Sequence, residues 1–313
     1  MIIFRMLFVF LYLHGGFASA AEPGCVPLPI FDAHPQELRG LVIAPGRYCL
    51  QGDITAVQRF DIHAGGFKSF GGQGLISIAC SDRFPCGQGG KSGPFSIDLQ
   101  NHNLIAEAEN MIGVENSSGP LNVTVRNGRI RVPGRGYPNR GIYLRSQNTQ
   151  QMVKGEPCTL STPGCEDLAA SETDGKRGPV YEATGYVIDT VDIRAGWRGV
   201  HIGGAGTVLR NSVIEVDGSV AVYQLGPGAV IENNTFIIHG KGERRAFDAV
   251  LKLRDAHGAI VRNNTFVFRG GIFSKAPAAI NLLDSSDVLV TGNRFKGFDK
   301  IVRVNGTSTY TQK

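Results

Sequence analysis

The sequence predicts an all-β chain, a single right-handed parallel β-helix: a three-sheet solenoid with an N-terminal cap and one long inserted loop. Three observations predict it. The first is repetition. Val208-Leu209-Arg210-Asn211-Ser212-Val213-Ile214 returns as Val230-Ile231-Glu232-Asn233-Asn234-Thr235-Phe236, again as Ile260-Val261-Arg262-Asn263-Asn264-Thr265-Phe266, and more loosely as Leu289 to Phe295. Asn211 and Asn233 are 22 residues apart, Asn233 and Asn263 are 30 apart, and Asn264 and Asn293 are 29 apart. Repeats of that length, built from short β-type runs, mark units that bury their apolar faces only against their neighbours. The second observation is alternation. In Ala249-Val250-Leu251-Lys252-Leu253-Arg254, Leu251 and Leu253 point to one face while Lys252 and Arg254 point to the other. The third is composition. Gly is abundant at 42 of 313 residues while Trp occurs once, as tight corners and narrow coils require.

Each repeat reads as three short strands with a corner at Asn-Asn. Asn tolerates the left-handed backbone that a corner needs, and its amide can pair with the Asn one coil away. With these residues in place, the segment from about Leu41 to Asn305 resembles the pectin-lyase-like superfamily of parallel β-helix proteins. That resemblance implies the architecture. It implies much less about activity, because one fold hosts many chemistries.

In chain order, residues 1–20 read as a secretory signal, with Arg5 near the start, an apolar Met6–Leu13 core and a small-residue Ala18-Ser19-Ala20 site. His14-Gly15-Gly16 interrupts the run before the roughly 20 apolar residues of a membrane span accumulate. A secreted or periplasmic chain, with no span after cleavage, is therefore expected, and residues 21–313 form one domain. Six cysteines follow the signal, at Cys25, Cys49, Cys80, Cys86, Cys158 and Cys165. An even count in an oxidising compartment suggests disulfides. Pairing sequence neighbours gives the simplest set: Cys25–Cys49, Cys80–Cys86 and Cys158–Cys165. A metal site is the alternative, but no paired close spacings with matching histidines support it, so no metal is expected there.

Residues 21–53 are expected to cap the solenoid, because an open end would expose strand edges and apolar interior. Phe95–Ile105 reads as an early coil, with Asp98 as a corner or ladder residue rather than a catalyst. The Gly-rich 65–93 region lacks phosphate-loop spacing. Asn127 marks the next corner, and its match, Thr190, comes 63 residues later, one coil plus a long insertion over 146–185. Such a loop is a functional lid or binding loop, or else a disulfide-stapled ornament. Calcium would suit its carboxylates (Glu166, Asp167, Glu172, Asp174), although no regular ligand spacing points to it; no other cofactor is implied.

Alignment of the first-sheet strands places Tyr143, Arg145, His201, Tyr223, Lys252, Arg254, Asn281 and Arg303 in one outward column, with strands about 4.8 Å apart. Loops entering that sheet add Arg140, Trp197, Arg198, Arg244 and Arg245. The overall charge, +5, is mild, so it gives no reason to expect nucleic acid. A locally basic, aromatic face suits an acidic polysaccharide. Taken singly, each long cation is more ordinarily a solvated strand residue, and His201 an ordinary surface histidine. Only their co-occurrence makes a candidate site.

Two reactions can be tested against this set. Glycoside hydrolysis needs paired carboxylates, and the outward positions carry none. The polygalacturonase-like motif is approached only by Asp255-Ala256-His257-Gly258. β-Elimination or C5 epimerisation of a uronate polymer needs a cation to neutralise the carboxylate, a base and an acid. Arg145 or Arg254 would neutralise, His201 or Lys252 would be the base, and Tyr223 or Tyr143 the acid. Tyr143, Arg140, Trp197, Arg198, Arg244, Arg245 and Asn281 would bind substrate. Arg131-Val132-Pro133-Gly134-Arg135 resembles the Arg-x-Pro-x-x-Arg of pectate lyases but is one residue short, which argues against that particular enzyme. The alternative is a non-catalytic module that binds acidic glycan or serves as a cell-surface structural β-helix. Nothing in the sequence addresses oligomeric state.

Overall fold

The computed structural model describes residues 24–28, 40–42, 45–56, 74–78, 94–106, 111–116, 122–134, 139–145, 152–153, 156–157, 181, 183–218, 220–241, 248–271 and 275–313. The expected signal, Arg244, Arg245, the acidic cluster at 166–174 and Cys80, Cys86, Cys158 and Cys165 lie outside them. Among the described residues the chain is all-β with no helix, and its strands stack into long parallel sheets, an arrangement consistent with a parallel β-helix.

One sheet has nine strands, running from Gly40–Val42 through Arg140–Arg145, Arg198–Gly203, Val220–Leu225, Ala249–Arg254 and Ala278–Leu283 to Val302–Asn305. The other has 16 strands. In it, the long strands Val123–Val132 and Val187–Ala195 each run past a corner and join two ladders. Beyond them the ladders separate, one through Val208–Arg210 and the other through Val213–Val216.

The repeated Asn-Asn divides its work between the two residues. Asn127, Thr190, Asn211, Asn233 and Asn263 all have φ between 53° and 58°, so the first position makes the left-handed bend. The second position faces inward and builds the ladder. Asn264 Oδ1 accepts from the backbone N of Asn234 (2.9 Å) and from its amide (3.0 Å), while Asn264 Nδ2 donates to Ile231 O and Asn293 Oδ1. Within the coils, Ile188, Leu209, Ile231, Val261 and Val290 fill one ladder and Phe236, Phe266 and Phe295 stack in the other at 5.0 Å.

Asp98 is a ladder residue, as expected: it pairs with Arg126 (2.9 Å) and accepts from Asn127 and from the Gln100 backbone. The region expected to cap contributes strands of its own. Val26–Pro27 pairs with Gly46–Cys49, and Gly40–Val42 pairs with Gly74–Ile78. Cys25 and Cys49 are joined by a disulfide. Within the insertion, Met152–Val153 and Glu156–Pro157 form a small antiparallel pair. Its far end is tied to the coils through Tyr181, whose hydroxyl donates to Asp255 Oδ2 at 2.6 Å.

Candidate functional site

The predicted column exists in part: Arg145 and Arg254, expected in it, lie two positions further along their strands, in register with Gly203 and Leu225. On the nine-stranded sheet, Glu115, Tyr143, His201, Tyr223, Lys252, Asn281 and Arg303 occupy consecutive rungs in strict register. Their chain neighbours Ile142, Val200, Val222, Leu251 and Ile280 belong to the interior cluster, whereas Tyr143, His201 and Lys252 do not. The alternation inferred from sequence therefore sorts the two faces correctly.

The expectation of an open groove is corrected. Tyr143, Tyr223, Lys252 and Asn281 are 0 % exposed and His201 is 4 % exposed, so this outer face is covered. Arg140, Arg198 and Arg254 are buried as well, while Arg145 and Arg303 are half-buried. Alternation reports which side of a sheet a residue takes. It does not report what the rest of the chain lays over that side. Part of the covering is Tyr181, which packs on an outer cluster of Val220, Tyr223 and Leu225.

Aromatic rings and cations pack against one another in and beside the column. His201 meets Tyr143 edge-on, with ring centroids 4.9 Å apart, and lies 5.0 Å from Tyr223. Two guanidinium groups lie over the Trp197 ring: that of Arg198 is 4.4 Å from its centroid and that of Arg140 is 5.0 Å away. Arg140 also lies over Tyr143, and Arg198 and the Lys252 ammonium lie over Tyr223. Cations on ring faces keep part of their electrostatic stabilisation after losing water, which is how so many fit in a buried layer.

These surroundings set the protonation states. Burial holds the His201 pKa well below its ordinary value, and Arg140, Arg198, Arg145 and Lys252 push the same way. Its ring is neutral at physiological pH. Among the described residues neither ring nitrogen has a hydrogen-bond partner, although the side chain is buried. Burial raises the Tyr143 pKa, against the opposing pull of Arg145 and Arg140. Asp255 is also raised by burial, with Tyr181 and Arg254 working against the shift.

The structure brings Arg140, Tyr143, Trp197, Arg198, His201, Tyr223 and Lys252 together. Arg254 links that group to a second one, interacting with Tyr223 while lying 3.7 Å from Asp255, which Tyr181 bonds. Asn281 accepts from Asn305. Arg131 is spent on Asp192, 2.7 Å away on the other sheet. Two members were missed in the sequence: Glu115, adjacent to Tyr143 and 4 % exposed, and Tyr181. Glu115 was legible in principle, since Ile112-Gly113-Val114-Glu115-Asn116 alternates as its neighbours do. Tyr181 carries no periodic signal. Among the described residues no group of three or more His, Cys, Asp or Glu side chains could hold a metal. Nor is any described helix long and apolar enough to cross a membrane.

A surface depression lies elsewhere among the described residues, lined by Pro45, Arg47, Pro94, Ser96 and Arg126 on the 16-stranded sheet. Its walls are mainly apolar, Arg126 is paired with Asp98, and it holds no acid–base set. The His201 column has the more distinctive chemistry. Comparison of the chain with protein-family models, with curated proteins and with solved structures finds no match.

Proposed function

We propose that this chain is an exported, three-sheet right-handed β-helix of the pectin-lyase-like kind. In this reading it acts on an acidic, uronate-containing polysaccharide by β-elimination or C5 epimerisation at the Tyr143–His201–Tyr223–Lys252 column. The observation that carries the reading is a buried, neutral His201 within the field of four cations, its ring nitrogens without a hydrogen-bond partner among the described residues.

The chemistry follows from that field. A uronate carboxylate bound among Arg140, Arg198 and Lys252 would have its charge offset, which makes the C5 proton more acidic. The same carboxylate would cancel part of the cationic potential at His201 and return its basicity toward neutral pH, where general bases work best. Proton abstraction by a His201 ring nitrogen leaves an electron pair on C5. In elimination that pair forms the C4–C5 double bond, and the C4–O bond breaks with protonation of the leaving oxygen by Tyr223 or Tyr143. In epimerisation a proton returns to C5 from the opposite face. Hydrolysis is disfavoured, because it requires two suitably spaced carboxylates and the column holds a single one, Glu115.

The second reading, a non-catalytic acidic-glycan-binding or structural β-helix, is favoured by one specific observation. At 4 % exposure His201 meets a polymer only after its covering moves aside. Incubation with alginate, pectate and glycosaminoglycans separates the two. Ultraviolet absorbance of an unsaturated product marks a lyase, and a changed epimer ratio by NMR without chain cleavage marks an epimerase. Binding with neither leaves the module. Turnover should vanish in the His201→Ala, Lys252→Ala double variant with the fold intact; full activity there removes this site.

A further inference from the structure

The opposite side of the solenoid carries a different pattern. On the outer face of the 16-stranded sheet, Asp98, Arg126, Asp189, Arg210, Glu232 and Arg262 take consecutive rungs, so acid and base alternate along the axis. Neighbours pair within the chain: Asp98–Arg126 at 2.9 Å, Asp189–Arg210 at 2.8 Å and Glu232–Arg262 at 2.6 Å. Arg210 and Arg262 nonetheless remain 44 % and 48 % exposed. Two residues away along each strand runs an aliphatic stripe, Val187, Val208, Val230, Ile260 and Leu289, again rung upon rung. All five are only partly buried, and none belongs to the interior cluster. A contiguous apolar strip rimmed by charge is the usual mark of a contact surface.

We propose that this face docks a second copy of the same chain, with the two solenoid axes antiparallel. Symmetry and charge together select that occupant. A two-fold axis lying along the strand direction reverses the order of rungs while keeping each column opposite itself. An alternating column is then complementary to its own reverse whenever the axis falls between rungs. With the axis between the Arg210 and Glu232 rungs, Arg210 faces Glu232 of the second copy and Asp189 faces Arg262. The same axis sets Val208 against Val230, and Val187 against Ile260. An axis along the solenoid would instead face each charge with its like, which is penalised. The stripe spans about 19 Å at the ordinary strand spacing. Its footprint is below the roughly 800 Å² per partner of a stable complex, so the association is weak and electrostatically guided.

The test is sedimentation velocity on the full chain at low salt, with concentration raised toward the millimolar range. A reversible dimer that weakens with added salt is expected. Arg210→Glu alone, and Glu232→Arg alone, should each raise the dissociation constant by about tenfold or more, since both put like charges opposite one another. Mixing these two variants should restore dimerisation, because each new charge then meets its complement. Val230→Lys should abolish association with little change in melting temperature. A wild-type chain that stays monomeric throughout overturns the proposal. So does a dimer that survives Val230→Lys, or one that the mixed variants fail to restore while both remain folded by circular dichroism.

Discussion

His201 meets the Tyr143 ring in a T-shaped contact, with centroids 4.9 Å apart and planes at 87°, and among the described residues neither of its ring nitrogens has a hydrogen-bond partner. A histidine in that position behaves as a buried aromatic ring that resists protonation. Its stability should therefore depend on pH in a defined direction. The folded pKa lies below the unfolded one, so around and below about pH 6.5 the unfolded chain takes up a proton that the folded chain refuses. The contribution of this site is complete above that pH and is lost as pH falls. His201→Phe keeps the ring contacts and removes the titration. Thermal melts from neutral to mildly acid pH should fall more steeply for wild type than for the variant, by up to about 1.4 kcal/mol per pH unit. Parallel curves would show that the site is not neutral and buried.

Tyr181→Phe removes the 2.6 Å bond to Asp255 and nothing else of the side chain. A buried carboxylate oxygen then loses a donor, at a cost of about 1–3 kcal/mol at neutral pH. Asp255 is already raised by burial, so without Tyr181 it should rise further. Being an acid with a raised folded pKa, it is penalised once pH climbs above its unfolded value. The deficit of Tyr181→Phe, measured by denaturant titration, should shrink as pH falls into the carboxylate range. A deficit independent of pH would break the link.

The two asparagines of one repeat should respond oppositely to substitution. Asn264→Ala strips the ladder, leaving Ile231 O and the Asn234 backbone N without their partners, and should cost roughly 2–4 kcal/mol. Asn263→Gly replaces an exposed residue at φ 56° with one that adopts that conformation freely, and should cost little. Equal losses in chemical denaturation would mean that the division of labour between the positions is wrong.

Gly199 sits where a Cβ would strike Ile214 Cγ2 and approach Ala221 O within 2.7 Å. Gly113 and Gly141 meet the same kind of obstacle against the next rung. Gly199→Ala should destabilise by about 1–3 kcal/mol through overpacking. A melting temperature unchanged in that variant would show that the rungs leave room for a methyl group at this position.

Asn-Asn at the corners, apolar residues at every second strand position and abundant glycine announced stacked parallel coils before any coordinates. Each of those signals is local. A left-handed bend or an inward-facing Leu251 is decided within a few residues, and repetition then carries it along the chain. The ordering of Tyr143, His201, Tyr223 and Lys252 into one column was legible for the same reason, because equal rungs keep equal positions in register.

Exposure was not legible. His201 reads as an outward strand residue, and it is one, but burial depends on side chains that arrive from elsewhere, such as Tyr181 packing on the outer cluster from 42 positions before Tyr223. No periodicity connects them. Sequence by itself determined the repeating unit, its corners and the two faces of each strand, since these follow from backbone geometry and the alternation of side chains. Tertiary structure alone decided that the cationic, aromatic face is desolvated, that its histidine is neutral, and that two guanidinium groups gather over Trp197. Desolvation and charge proximity are sums over neighbours in space, and a linear pattern does not contain those neighbours.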